Sequence, residues 1–272
     1  MKCISKELKK KLSRFIWWLR YWLLSVFASF RRYDYQHVFV CGFPRSGTSL
    51  MFNMITASLD GFDYVNRETT AVEWMVRPGN YISKVPDDMF KLDFISSHNP
   101  YRKQITAIVL YRDVRDVLTS IHQDYPGDYY VDYLSRKGGR AGMCQLYDQL
   151  MKVRSYSSVG VNVIVLKYED LVADADAVQE HVSSNSHLRF SSSFSSFYER
   201  PDRLVYGEGS AKSGKFEWQK VNKGRHGKWR SESHRERVQV VFSQHPDLFI
   251  MLKELGYEKD DAWFEEFASR EG

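Results

Sequence analysis

The sequence predicts a three-layer α/β fold, with a central parallel sheet and helices on both faces. Three near-continuous apolar runs carry that expectation: His37 to Cys41, Ile105 to Tyr111 and Val161 to Lys167. Runs of this length and β-branched content suit parallel strands that are buried on both faces. Each is followed by helix-opening sequence. After the first comes a turn containing Gly42, Pro44 and Gly47, then apolar residues at helical spacing from Thr48 to Ser58. After the second and third come Asp113-Val-Arg-Asp116 and Glu169-Asp170. Strands that alternate with helices place ligands beyond the strands' carboxyl ends.

A chain of 272 residues with 43% hydrophobic and 15% aromatic content supplies one large core. It divides into a basic, aromatic N-terminal extension, residues 1–36, and one domain, residues 37–272. Residues 1–32 hold nine Lys/Arg against one acid, which leaves 30 basic and 33 acidic residues for the rest. A slightly acidic domain excludes nucleic-acid binding through a broad basic face. Phe15 to Phe30 is apolar except for Arg20, Ser25 and Ser29, and it contains Trp17, Trp18 and Trp22. It is shorter than the roughly 20 residues of a comfortable membrane span, whereas clustered Trp and Lys/Arg suit a headgroup layer. The preferred reading is a helix lying on an anionic membrane surface, with contact through residues 9–32. A helix packed on the domain or on a partner, and a short signal anchor, are the alternatives.

Further along, Ser183 to Ser196 and Gly207 to Gly227 read as mobile loops, and Phe242 to Tyr257 as one closing amphipathic helix. Cys3, Cys41 and Cys144 are odd in number and widely spaced, so neither a structural metal nor a disulfide framework is expected. No Asn-x-Ser/Thr signal occurs. Together these point to a reducing, cytoplasmic setting, peripheral on a membrane.

Gly42-Phe-Pro-Arg-Ser-Gly47-Thr48-Ser49 has the spacing of a phosphate-binding loop, placed between a strand and a helix, and makes the fold a P-loop-containing one. Turn amides and the helix N-terminus converge on an oxyanion in such a loop, with the Thr48 and Ser49 hydroxyls able to add bonds. The lysine that would reach β and γ phosphates is replaced by Thr48, so a nucleotide triphosphate loses its main cation. Arg45 supplies a cation elsewhere in the loop.

Pro44 to Ser49 resembles the 5′-phosphosulfate loop of sulfotransferases that use 3′-phosphoadenosine 5′-phosphosulfate (PAPS). The resemblance makes Arg45, Ser46, Gly47, Thr48 and Ser49 donor-binding residues, and Arg45 also a stabiliser of charge on the bridging oxygen. Arg112-Asp-Val-Arg-Asp116, ending at Ser120, is similar to the family's 3′-phosphate motif, which implies Arg112 and Ser120 as ligands. Lys223-Gly224-Arg-His-Gly227-Lys228-Trp229 resembles its C-terminal segment, with Asn222 and Lys228 departing from the usual Arg and Asp; Lys223 and the Gly224 amide would complete the clamp. Tyr168, in Tyr168-Glu-Asp-Leu171, corresponds to a tyrosine near the nucleotide.

Two residues compete for the catalytic base. His98, in Ser97-His98-Asn99-Pro100, resembles the base of cytosolic sulfotransferases, although Ser96 stands where their lysine would be. Glu68 resembles the carboxylate of carbohydrate sulfotransferases. His98 is placed first. The acceptor is expected to be a hydroxyl or an amine, on a glycan or glycolipid, and no metal is called for because no β and γ phosphates need bridging. A P-loop kinase for a small alcohol, and a noncatalytic nucleotide-binding or membrane-docking module, are the rival readings.

Overall fold

The computed structural model describes residues 34–65, 67–122, 125–135, 139–205 and 226–269, together with Ile16, Leu19 and Leu23. The expectations that rest on the rest of the extension, on residues 206–225 and on Lys223 and Gly224 lie outside these residues.

Six strands are described: β1 (Gln36–Gly42), β2 (Tyr81–Lys84), β3 (Gln104–Tyr111), β4 (Ile121–His122), β5 (Tyr125–Tyr129) and β6 (Val161–Lys167). Four of them form one sheet in the order β2-β1-β3-β6, and β4 pairs with β5 separately. Every pairing in the larger sheet is parallel. Side chains alternate across it with the two-residue period of a strand. Phe39, Cys41, Ala107 and Val109 enter one core, while Val38, Val40, Ile108 and Leu110 enter the other.

Helix α1 (Thr48–Ser58) covers the second face, and α2 (Ala71–Met75) and α3 (Leu92–Ser97) lie on the first. The first face also receives α4 (Val114–Leu118) and α5 (Met143–Arg154), and α6 (Tyr168–Ala173) and α7 (Ala175–Ser184) pack beside α1. Helices α8 (Arg235–Gln244), α9 (Asp247–Glu254) and α10 (Ala262–Ser269) close the first face. The three expected layers are therefore present. The chain leaves β1 for β2 on one side, and β3 lies on the other, so the strand order reverses at the carboxyl end of β1. Ligand crevices of open α/β sheets form at such a reversal.

Three local expectations change. Strand β2 was not foreseen. The closing helix is split into α8 and α9, because Pro246 cannot continue the hydrogen-bond ladder and disfavours helical backbone at His245. The serine-rich stretch is tied down rather than mobile: the Ser191 amide donates to Ser58 O at 2.7 Å, and the Ser192 hydroxyl donates to Ala57 O at 3.3 Å. These bonds satisfy carbonyls at the end of α1, which would otherwise lack intrahelical partners.

Candidate active site

The loop between β1 and α1 is fastened to the neighbouring strand. The Phe43 amide donates to Leu110 O at 2.8 Å. Ser46 is buried, and its hydroxyl donates to Phe43 O at 2.6 Å and Leu110 O at 3.2 Å. Its amide also donates to Phe43 O, at 3.3 Å. Ser46, expected to bind a ligand, therefore holds the loop's shape, and both of its donors are engaged within the protein.

Gly47 precedes α1 in the left-handed region, with φ of 84°. A Cβ there would come within 2.5 Å of the Tyr168 ring. The backbone is thus bare on the side where Tyr168 lies. α1 has no side-chain cap and no acid in its first turn, so the amides and dipole at its N-terminus favour an anion. Gly47→Ala is expected to destabilise the protein more than Gly61→Ala in urea unfolding. Gly61 has a φ of 76° but nothing within 4 Å of its Cβ position, so that control incurs only the backbone strain, about 1–2 kcal/mol. Equal losses would show that the Tyr168 contact carries no constraint.

Arg45 sits at the exposed tip of the loop. Its Nε donates to Ser120 Oγ at 2.9 Å, and its carbonyl accepts from Arg112 at 3.1 Å. The Arg112 guanidinium lies 4.4 Å from the centre of the Tyr168 ring and pairs with Asp116 at 2.9 Å. Asp116 in turn accepts from the Gly227 amide at 2.7 Å and the Trp229 amide at 3.1 Å. One carboxylate thus joins the second motif to the third. Asp113 caps α4 by accepting from the Arg115 amide at 2.9 Å, which fixes the turn that carries Arg112.

The structure adds a residue that sequence reasoning missed. Lys84 ends β2, beside Val40 in the parallel register, and is buried. Its Nζ donates to Ser49 Oγ at 3.1 Å and pairs with Glu68 at 2.5 Å. Burial holds the lysine below its ordinary pKa and Arg45 pushes the same way, while Glu68 opposes both. A signal did exist in the sequence: Tyr81-Ile-Ser-Lys84 is bounded by Pro78-Gly79-Asn80 and Pro86, the punctuation of a short strand. Thr48 is buried at the start of α1, and Glu68 is half-exposed at the mouth of the site.

His98 is not brought to this edge. It follows α3 and precedes the amino end of β3, where Asn99 closes a turn by bonding both the amide and the carbonyl of Lys103. Its Nδ1 lies 2.7 Å from Phe94 O, and its ring is 3.9 Å from that of Phe94. The full length of β3, about 23 Å at ~3.3 Å per residue, separates that end from Arg112. Lys223 and Gly224 lie outside the described residues.

Arg45, Lys84, Arg112 and the N-terminus of α1 thus gather at the carboxyl edge of the sheet, with Asp116 buried behind Arg112 and Glu68 half-exposed beside Lys84. A family model described as a sulfotransferase domain matches residues 35–248. Among solved structures, the sulfotransferase domain from the curacin biosynthetic pathway matches with a TM-score of 0.51 at 12% identity, over 84% of this chain and 99% of that one. At that identity the likeness carries the fold alone. Comparison with curated protein sequences finds no match.

Proposed function

Because the chain belongs to the sulfotransferase family, we propose that it moves a sulfuryl group from PAPS to a hydroxyl or amine, with a glycan or glycolipid as the acceptor. The observation that carries the donor assignment is the convergence of Arg45, Lys84 and Arg112 on the loop before α1. The donor set fits the molecule: amides and two cations for the phosphosulfate, and a second, arginine-lined position for a 3′ phosphate. The missing Cβ at Gly47 makes room for the Tyr168 ring beside the loop.

PAPS supplies a sulfuryl group on a phosphate leaving group, so the chemistry needs in-line positioning and neutralisation of charge at the bridging oxygen. The α1 amides and Thr48 and Ser49 hold the 5′ end in this reading. Lys84 and Arg45 provide the fixed positive charge where negative charge develops. Arg112 and Ser120 take the 3′ phosphate, Tyr168 backs Arg112, and Lys223 with the Gly224 amide closes the clamp. The base is Glu68, supported by its ion pair with Lys84 at the loop, and His98 has no part in proton transfer. The acceptor's proton then passes to the Glu68 carboxylate.

The glycolipid or membrane-bound glycan assignment draws on the basic, tryptophan-rich extension. Ile16, Leu19 and Leu23 are helical and exposed, three and four residues apart on one face. No helix among the described residues is long and apolar enough to cross a membrane.

Incubation with sulfur-labelled PAPS, a panel of soluble glycans and glycolipid vesicles tests the assignment. Label is expected in the acceptor with wild type. Glu68→Gln should lower kcat about 100- to 10,000-fold with donor affinity retained, and His98→Gln should leave kcat unchanged. A Glu68→Gln enzyme with full kcat would overturn the choice of base.

A further inference from the structure

Beyond the family match, α10 and the turn before it reach back to the site through Arg115. Arg115 is almost completely buried, yet it lies on α4 next to Asp116. Its guanidinium pairs with Asp113 at 2.7 Å and with Glu258 at 2.5 Å. Its flat surfaces meet two indoles, with the Trp229 ring centre at 4.0 Å and the Trp263 ring centre at 4.5 Å. Trp263 and Phe267 also pack on Trp229 directly, each with ring centres 5.3 Å away.

Trp229 is therefore held twice. Asp116 holds its amide, and the Arg115, Trp263 and Phe267 side chains hold its ring. Asp116 is shared between that segment and Arg112. If the segment moved, the carboxylate would lose two amide donors and rely more heavily on Arg112, whose guanidinium is also wanted by a bound anion. Burial makes such a loss costly, because an under-bonded carboxylate cannot turn to water.

We infer that Glu258, Trp263 and Phe267 are positioning residues: a C-terminal brace that fixes Trp229 and, through Asp116, sets the Arg112 guanidinium for the 3′ phosphate. This rests on the reading of the site as a PAPS site. The brace acts first on the 3′ end of the nucleotide. Lys84 and the loop before α1 are fastened to β2 and β3, so the 5′ phosphate site meets the brace only where Arg112 donates to Arg45 O.

The test compares affinities of the full chain for adenosine 3′,5′-bisphosphate and adenosine 5′-monophosphate. Wild type should prefer the bisphosphate. Trp263→Ala should reduce that preference about tenfold while binding of the monophosphate holds, and Trp263→Phe should restore most of it. Glu258→Gln should shift the ratio in the same direction and decides the matter if Trp263→Ala does not fold. Equal weakening of both nucleotides in parallel with a lower melting temperature, or an unchanged ratio in both variants, overturns the brace and leaves the site reading intact. A wild type that does not distinguish the two nucleotides overturns the 3′-phosphate reading and the brace with it.

Discussion

Replacing Lys84 with methionine is expected to lower kcat for sulfuryl transfer about 100- to 1,000-fold, with the affinity for adenosine 3′,5′-bisphosphate nearly unchanged. The lysine is a fixed charge at the end of a sheet strand, buried, and held by Ser49 and Glu68. A charge placed in advance needs no reorganisation when the leaving oxygen gains its negative charge, and methionine keeps the volume without the charge. The pH profile gives a second signature. Burial and Arg45 lower the lysine's pKa, so the group loses its proton, and activity its electrostatic support, below the pH at which an ordinary lysine titrates. Activity should therefore fall on the alkaline side, and Lys84→Arg should carry that limb upward, because a guanidinium does not titrate in the range. A Lys84→Met enzyme with wild-type kcat would remove the lysine from the reaction.

Arg112→Ala should weaken adenosine 3′,5′-bisphosphate by about 10- to 100-fold, the worth of a charge-assisted hydrogen bond of 1.5–3 kcal/mol. Adenosine 5′-monophosphate should lose less, since Arg112 touches the 5′ loop only through its bond to Arg45 O. Arg112→Lys is expected to recover little. The guanidinium is stacked 4.4 Å from the Tyr168 ring centre while bonding Arg45 O and Asp116, and an ammonium cannot serve three directions from that plane. The measurement is a calorimetric titration of both nucleotides with all three proteins. Parallel losses for the two nucleotides would place Arg112 at the 5′ end or in the scaffold.

The long parallel strands were legible because burial on both faces writes them as apolar runs: β1, β3 and β6 extend beyond the expected runs by two residues at most. β2 escaped because it is four residues long and ends in a lysine, which an apolar-run criterion discards. Yet the same lysine marks the strand's carboxyl end, where an α/β sheet keeps its ligand-binding residues. His98 is suggested by motif resemblance alone, and β3 lies between it and Arg112 and carries the two positions to opposite ends of that strand. Ser46 fits a loop motif by type, but in the fold its donors are turned inward to Phe43 and Leu110. The link from Trp263 through Arg115 to Trp229 depends on residues more than 110 apart in sequence. No local pattern announces such a contact.

Titration of the wild-type chain with adenosine 3′,5′-bisphosphate, set against ATP with magnesium, tests the donor assignment most directly. The site described here predicts that the bisphosphate binds and raises the melting temperature in proportion to the logarithm of its concentration above Kd, and that ATP with magnesium does so weakly or not at all. Stabilisation by ATP with magnesium and none by the bisphosphate would contradict it.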